Sequence, residues 1–174
     1  MRFQVWPYFR QEDGTWNLPD LFLAAAWSGI YTSGRYQHVF YSGQVKTFGE
    51  FVTFLQKKGT YPVFVVLDGA PVFMAWLNGV DAIAGVGFSH FCAIGPYRRG
   101  SADAVLDYWF GFRGPDGQPL LKVLCGVTPA TCIVALKLLR LLGWVEAGRI
   151  PRFCRLAHDG TRADAVISYY AREG

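Results

Sequence analysis

Two adjacent arginines stand beside a glycine at the point where an apolar run gives way to a helical pattern. The run ends at Gly95-Pro96, and residues 97–102 read YRRGSA. Free backbone N–H groups at a helix start attract anions, and a glycine lets an anion approach the backbone closely. The two guanidinium groups would add charge-assisted hydrogen bonds. The turn therefore predicts a phosphate site, unless the arginines are solvated and Gly100 and Ser101 only shape and cap the helix.

The sequence around this turn limits the kind of phosphate site that it forms. Asp103 falls in the first turn of the predicted helix and would repel a phosphate, an effect that the two arginines offset. The chain contains neither GxxxxGK[ST] nor GxGxxG, which excludes the common nucleotide-binding loops.

Three further residues carry groups that can react or bind. Cys132 precedes a helical pattern, where a helix dipole lowers a thiol pKa, so it is either a nucleophile or a small buried residue. His158 lies in a His-Asp-Gly turn, where we expect it to be exposed. Asp164 either steadies a hairpin or faces a substrate. The four cysteines show no CxxC pairing, so we expect reduced thiols and no metal site.

The composition is that of a compact protein. Of 174 residues, 52% are apolar and 17% aromatic, which favours a single domain over residues 1–174. The net charge is +4, without a long run of Lys or Arg, and this favours an anionic ligand over a dedicated nucleic-acid site. No apolar segment of signal-peptide or membrane-spanning type occurs, so we expect a cytoplasmic protein without membrane contact.

Hydrophobic periodicity predicts the elements that must position these residues. Thr47–Glu50 fits a capping box, Asp68-Gly69 a hairpin turn, and residues 102–110 an amphipathic helix. The apolar segment 132–142 predicts a helix covered on most of its circumference. The predicted order is strand, two helices, three strands, helix, strand, helix and two strands. This order favours a mixed α/β domain with helices on the faces of one sheet.

The element order and three local patterns resemble the GNAT acetyltransferase superfamily. In that family a [RQ]-x-x-G-x-[GA] turn cradles the coenzyme A pyrophosphate; residues 97–102 match it, with Tyr97 where Arg or Gln is usual. Residues 127–144 resemble the family's strand-loop-helix. Residues 148–173 are similar to the closing hairpin of the RimL-like, ribosomal-protein N-acetyltransferase branch. The motifs are degenerate, as in phage and prophage members.

The resemblance implies a central, mixed, mostly antiparallel sheet with helices on both faces. It implies an enzyme that transfers the acetyl group of acetyl-CoA to an amine by direct attack, while backbone N–H groups of a splayed strand polarise the thioester carbonyl. The implied acetyl-CoA contacts are Phe91, Cys92, Ala93, Ile94, Tyr97, Arg98, Arg99, Gly100, Ser101, Ala102, Thr131 and Cys132.

The implied mechanism requires a base, and two positions of this sequence differ from the family pattern. His90 is the candidate base because imidazole titrates near neutral pH, the alternative being a hydrogen-bonded histidine in an apolar strand. Cys132 stands where the family usually has Asn. Leu139 stands where many members carry the Tyr that protonates the departing thiolate, although the RimL-like branch often lacks that Tyr.

The acceptor side of the sequence matches the family least. The resemblance implies a small amine or a protein N-terminus as acceptor. The alternative is a catalytically inactive GNAT-fold protein that binds CoA or serves interactions in a phage or prophage. A nucleic-acid-binding module is disfavoured, because the aromatic residues do not alternate with basic ones. The N-terminal aromatic residues line an acceptor pocket, fill the core or mark an interface such as that of a homodimer. They are Trp6, Tyr8, Phe9, Trp16, Phe22, Trp27, Tyr31, Tyr36, Phe40 and Tyr41.

Overall fold

The computed structural model describes residues 2–172; Met1, Glu173 and Gly174, which the predicted domain includes, lie outside the described residues. The strands are β1 (Gln4–Pro7), β2 (Tyr61–Leu67), β3 (Ala70–Asp81), β4 (Val86–Ala93), β5 (Val123–Pro129), β6 (Val145–Arg155) and β7 (Arg162–Ala171). The helices are α1 (Asp20–Thr32), α2 (Tyr36–Val39), α3 (Phe48–Leu55), α4 (Ser101–Phe110) and α5 (Ile133–Leu141).

The strands form one sheet in the order β1-β2-β3-β4-β5-β7-β6. Every neighbouring pair is antiparallel except β4 and β5, which run parallel at the centre. The predicted mixed, mostly antiparallel sheet is therefore confirmed. A parallel pair cannot be joined by a tight turn, and the chain between β4 and β5 accordingly includes the helix α4.

The two faces of the sheet build the two larger of three apolar clusters among the described residues, and the third includes Cys154 and Ala165 of the β6–β7 hairpin. Side chains alternate between the faces along a strand, so Phe64 on β2 packs toward α1 while its neighbour Val65 packs toward α4. The first, the α1 core, includes Leu23 of α1 and Phe51 of α3. The second, the α4 core, is built around Trp109 of α4. Helices thus cover both faces, as predicted.

Local sequence signals correctly predicted the start of α3 and the turn between β2 and β3. The Glu50 N–H donates to the Thr47 hydroxyl oxygen at 3.2 Å, and the Thr47 N–H donates to the Glu50 carboxylate at 3.0 Å. These two bonds complete the predicted capping box. Asp68 and Gly69 both have positive φ, 51° and 79°, which joins β2 to β3 as the hairpin prediction required.

The first helix contains a glycine where it meets the chain after β4. Gly29 lies inside α1, which continues to Thr32. A Cβ at Gly29 would lie 2.5 Å from the Ile94 Cγ2 atom, so this glycine allows the helix to pack closely on the chain just after β4. The polar segment that follows α1 leads into the short helix α2.

The prediction that α5 is covered on most of its circumference is wrong. Val134 and Leu141 are 83% and 84% exposed, and Leu136 is the buried residue of this helix. Leu139 and Leu142 are partly buried against the α4 core, so α5 packs through one stripe of residues 136, 139 and 142. An apolar composition sets no limit on how much of a helix its neighbours cover.

None of the helices in residues 2–172 is long and apolar enough to cross a bilayer.

Candidate active site

The central parallel pair of strands separates soon after it forms. Val86–Phe88 of β4 pair with Val123–Cys125 of β5, and the pairing then stops although both strands continue. The Ser89 hydroxyl donates to the Cys125 carbonyl at 3.3 Å at this point. Beyond it the second half of β4 pairs with a strand, β3, on one side only, and the Ala93 carbonyl on the open side accepts from the Arg35 guanidinium at 3.1 Å.

The open side of β4 presents two particular backbone N–H groups. The Ile94 N–H donates to the Val72 carbonyl at 2.9 Å on the β3 side. Because N–H groups alternate in direction along a strand, those of Cys92 and His90 also point to β3, while those of Phe91 and Ala93 point into the gap. Of the predicted acetyl-CoA contacts in residues 91–94, two therefore direct their N–H groups into the gap.

A cavity of about 120 Å³, the central cavity, lies between the separated strands. Its wall is formed by His38, Val39, Tyr41, Trp76, Ser89, His90, Phe91, Gly126, Val127, Thr128, Pro129, Cys132, Ala135, Leu138, Leu139 and Trp144. A water molecule occupies about 30 Å³ in the liquid, so the cavity has room for a group of a few heavy atoms. The structure thus brings together His90, Phe91 and Cys132 from the predicted site.

Buried polar groups around this cavity lack partners. The indole nitrogens of Trp76 and Trp144, the Nε2 atom of His90 and the Ser168 hydroxyl are buried and make no hydrogen bond in the described structure. The first three belong to residues of the cavity wall, and Ser168 lies beside Gly126. A buried polar group without a partner costs about 1–3 kcal/mol, so such a cluster marks a place where a ligand or water supplies the partner.

His90 is held as a neutral ring by its surroundings. Its imidazole stacks on the Trp76 indole, with ring centroids 4.7 Å apart and planes 8° apart. Burial lowers the pKa of His90 from 6.5 to about 4, because the charged form is poorly solvated there. At neutral pH the ring is therefore uncharged.

A cysteine and a histidine meet on the cavity wall. The Cys132 Sγ atom lies 3.7 Å from the Nδ1 atom of His38, from which it is separated by 94 positions in the chain. Cys132 is buried at the start of α5, whereas His38 is exposed on α2. Burial raises the pKa of the Cys132 thiol. Sequence reasoning identified Cys132 alone, because no local signal connects it to His38.

The turn before α4 has the conformation that an anion site requires. Gly100 has φ 87° and begins the helix without a side-chain cap. Ser101 does not cap it, since its buried hydroxyl donates to the Arg98 carbonyl at 2.7 Å. In the described structure the N–H groups of Ala102 and Asp103 make no hydrogen bond.

The side chains around this turn have different surroundings. Arg98 and Arg99 are exposed to solvent. Burial and the nearby Asp103 raise the pKa of Tyr97, whose ring lies 6.2 Å from that of Phe73. Three residues separate the turn from the end of β4, and a Cβ at Gly100 would lie 3.3 Å from the Phe3 ring.

Most other candidates have structural surroundings. The Asp164 carboxylate accepts from the Arg152 N–H at 2.9 Å, where Arg152 has a φ of 55°, and thereby steadies the β6–β7 hairpin. His158 is exposed, and its Nε2 atom lies 3.4 Å from the Oδ2 atom of Asp159. Thr131 is exposed beside Cys132.

The N-terminal aromatic residues are mainly core residues. Tyr8, Trp27 and Phe40 are buried in the α1 core, whereas Tyr41 lines the central cavity. Phe9 and Tyr31 are exposed. The side chains of Cys92 and Ile94 also belong to the α1 core.

Comparison with known proteins finds relatives by structure and none by sequence. No protein-family model and no curated protein matches the chain. Spermidine N-acetyltransferase from Vibrio cholerae, solved with CoA and spermine, has a TM-score of 0.70 and 13% identity, with 97% of this chain and 95% of that one covered.

Two other solved structures extend this likeness. The Salmonella typhimurium acetyltransferase that modifies the N-terminal serine of ribosomal protein L7/L12 has a TM-score of 0.70 and 9% identity, with coverage of 89% and 92%. A GNAT-family acetyltransferase from Streptococcus pneumoniae has a TM-score of 0.64 and 14% identity, with coverage of 98% and 100%. The chain therefore has the GNAT acetyltransferase fold, with ribosomal-protein acetyltransferases of the RimL type among its structural neighbours.

Proposed function

We propose that the chain is an acetyl-CoA-dependent N-acetyltransferase whose thioester site is the gap between β4 and β5. The observation that carries the proposal is the pair of N–H groups of Phe91 and Ala93, which face the gap without a partner strand. Donors fixed in a water-poor cleft stabilise the negative charge that develops on a carbonyl oxygen under attack. The unpartnered polar groups of the central cavity lie next to them.

The residues at the start of α4 fit the diphosphate of a CoA thioester. The N–H groups of Ala102 and Asp103 are free, and Gly100 has no side chain that would keep an anion away from the backbone. The exposed guanidinium groups of Arg98 and Arg99 supply positive charge at the same turn. When bound there, the cofactor supplies an activated acetyl group.

His90 acts on the amine by orienting it. Its ring is neutral at pH 7, and its unpartnered Nε2 atom accepts a hydrogen bond from an uncharged amine in the tautomer that carries the proton on Nδ1. The lowered pKa makes His90 a weak proton acceptor, so the amine proton passes to water. Most of the acceleration then comes from holding two reactants together.

The acceptor is an amine, and the side chains of the cavity wall favour its uncharged form. No Asp or Glu occurs among the residues that line the central cavity, so an ammonium group would find no counter-ion there. The structural neighbours comprise an enzyme solved with spermine and one that modifies a protein N-terminal serine. Both chemistries belong in the acceptor screen.

Calorimetric titration tests the cofactor part of this proposal. The purified protein is titrated with acetyl-CoA, CoA and dephospho-CoA, and we expect micromolar binding of acetyl-CoA. Absence of heat and of a thermal shift at millimolar ligand would contradict the proposal. Acetyl transfer to polyamines, aromatic amines and peptides is then followed by mass spectrometry.

The acetyl-transfer assay separates this function from its alternative. An inactive GNAT-fold protein that binds CoA gives heat with acetyl-CoA but no acetylated product and no release of free thiol over hours. Slow thiol release in the absence of any acceptor would favour the enzyme, because it reports attack on the thioester by water.

A further inference from the structure

The proposed reaction leaves a proton unaccounted for. Transfer of the acetyl group breaks the bond between the carbonyl carbon and sulfur, and the electron pair remains on the sulfur. Leu139, which lines the central cavity, has no proton to give. Some other group on the cavity wall must supply the proton if the thiol is to leave as a neutral molecule.

We propose that Cys132 and His38 form a proton relay in which the Cys132 thiol protonates the departing sulfur and His38 reprotonates Cys132. This inference rests on the proposed function. Cys132 and Phe91 line the same cavity, and the oxygen and sulfur of a thioester share one carbon atom. A thioester whose oxygen accepts from the Phe91 N–H therefore has its sulfur within the cavity that Cys132 lines.

The positions of the two residues suit a relay from solvent to a buried site. Cys132 is buried and His38 is exposed, and 3.7 Å separates Sγ from Nδ1, which is within hydrogen-bonding range for sulfur. The unpartnered indole N–H groups of Trp76 and Trp144 are an independent sign that the cavity receives a polar ligand. They lie in side chains that are 2% and 5% exposed.

Other weak acids on the cavity wall are less suited to the task. Burial raises the pKa of Tyr41 to about 12, and its hydroxyl is hydrogen-bonded with Cys154. The Ser89 hydroxyl donates to the Cys125 carbonyl. Burial also raises the pKa of the Cys132 thiol, but this thiol gives its proton to a group of its own chemical kind, a thiolate.

The step balances in atoms and charge. The carbon–nitrogen bond forms as the carbon–sulfur bond breaks, and the sulfur takes the proton of Cys132 Sγ. The resulting Cys132 thiolate takes the proton on Nδ1 of His38 while a water molecule protonates Nε2 of the same ring, which therefore stays neutral. The hydroxide that remains is neutralised by the proton that the amine releases to water. No oxidation or reduction occurs, and no acetyl group is attached to the protein.

The first test compares two acetyl donors in the Cys132→Ala variant. With acetyl-CoA we expect kcat to fall about 10²-fold, the contribution typical of a general acid. With S-(4-nitrophenyl) thioacetate, whose leaving thiol is acidic enough to depart without a proton, the variant should match the wild type. Cys125→Ala, which removes a thiol that does not line the central cavity, serves as the control with both donors.

The second test needs no cofactor. Alkylation of Cys132 by iodoacetamide is followed by peptide mass spectrometry over a pH series in the wild type and in His38→Gln. Loss of the histidine should slow alkylation several-fold at a given pH, whereas His158→Gln should have no effect. Equal rates in His38→Gln and wild type would overturn the pair even if the protein binds acetyl-CoA.

The remaining outcomes also decide the matter. Wild-type kcat in Cys132→Ala with acetyl-CoA would overturn the relay and leave the acetyltransferase proposal intact. Loss of both donor reactions, with an acetylated Cys132 peptide in the wild type, would replace the relay by covalent catalysis. If the wild type binds no acetyl-CoA, the proposed function fails first.

Discussion

The helices that follow the two central strands differ although they stand at the same end of the sheet. After β4, α4 buries one whole face in the second core, including Ser101, Ala102, Val105, Leu106, Trp109 and Phe110. After β5, α5 buries Leu136 and leaves Val134 and Leu141 exposed. The α4 unit begins at a glycine with φ 87°, and the α5 unit begins at a cysteine beside a histidine.

This difference assigns separate tasks to the two strand–helix units. Deep packing holds the start of α4 in place, as befits a backbone site whose N–H groups must not move when an anion binds. The α5 unit packs through a narrow stripe and places the Cys132 thiol on the wall of the central cavity. We therefore expect the two helices to respond differently to the same kind of substitution.

The largest contrast is expected from truncating one leucine in each helix. Leu106 of α4 is 2% exposed, and Leu106→Ala should lower the free energy of unfolding by about 2–5 kcal/mol. Leu141 of α5 is 84% exposed, and Leu141→Ala should change it by less than about 0.5 kcal/mol. Urea unfolding measures both. Equal losses of unfolding free energy in the two variants would mean that Leu141 is buried in solution, by contact of α5 with another molecule.

The next effect is a pH dependence of stability that comes from His90. The pKa of His90 is lowered from 6.5 to about 4 in the folded protein. Between these two pH values the unfolded chain binds a proton at His90 and the folded protein does not, so a falling pH favours unfolding. The stabilisation present above pH 6.5 is lost progressively down to pH 4 and amounts to about 3 kcal/mol.

Replacing His90 by phenylalanine isolates this effect. His90→Phe keeps a ring against Trp76 and removes the titrating nitrogen, so its loss of stability between pH 7 and 4 should be smaller than that of the wild type by this amount. His158→Phe, in an exposed turn, is the matched control and should follow the wild type. Parallel curves for His90→Phe and wild type would refute the buried, neutral histidine.

The smallest effect concerns the charges at the start of α4. If Arg98 and Arg99 hold the diphosphate, each Arg→Ala change should weaken acetyl-CoA binding by about 1–3 kcal/mol, in line with hydrogen bonds to charged groups. Lys137→Ala removes an exposed cation from α5 and should leave the affinity unchanged. Similar losses in all three variants would indicate a diffuse charge effect in place of a site at α4.

Features coded by neighbouring residues were predicted correctly. Thr47 and Glu50 lie three positions apart and cap α3 through bonds that both side chains make locally. The alternation of apolar residues, together with the family resemblance, was sufficient for the sheet with helices on both faces and for the element order, except for the short helix α2. The position of Gly100 at the turn before α4 was predicted correctly, because the positive φ of that turn is a local backbone requirement that glycine meets.

Features that depend on distant contacts were missed. The exposure of α5 depends on how few elements pack against it. The pairing of Cys132 with His38 joins residues 94 positions apart, and no periodicity encodes it. The unpartnered indole nitrogens of Trp76 and Trp144 likewise become visible only once the two strands separate.

The most direct test of the account is an assigned amide spectrum of the ¹⁵N-labelled protein during titration with acetyl-CoA. The N–H resonances of Phe91 and Ala93, which face the gap, should move strongly, together with those of Ala102 and Asp103. The Cys92 resonance, whose N–H points into β3, is the internal reference and should move little. Binding that leaves Phe91 and Ala93 unmoved would contradict the central claim that the gap between β4 and β5 is the thioester site.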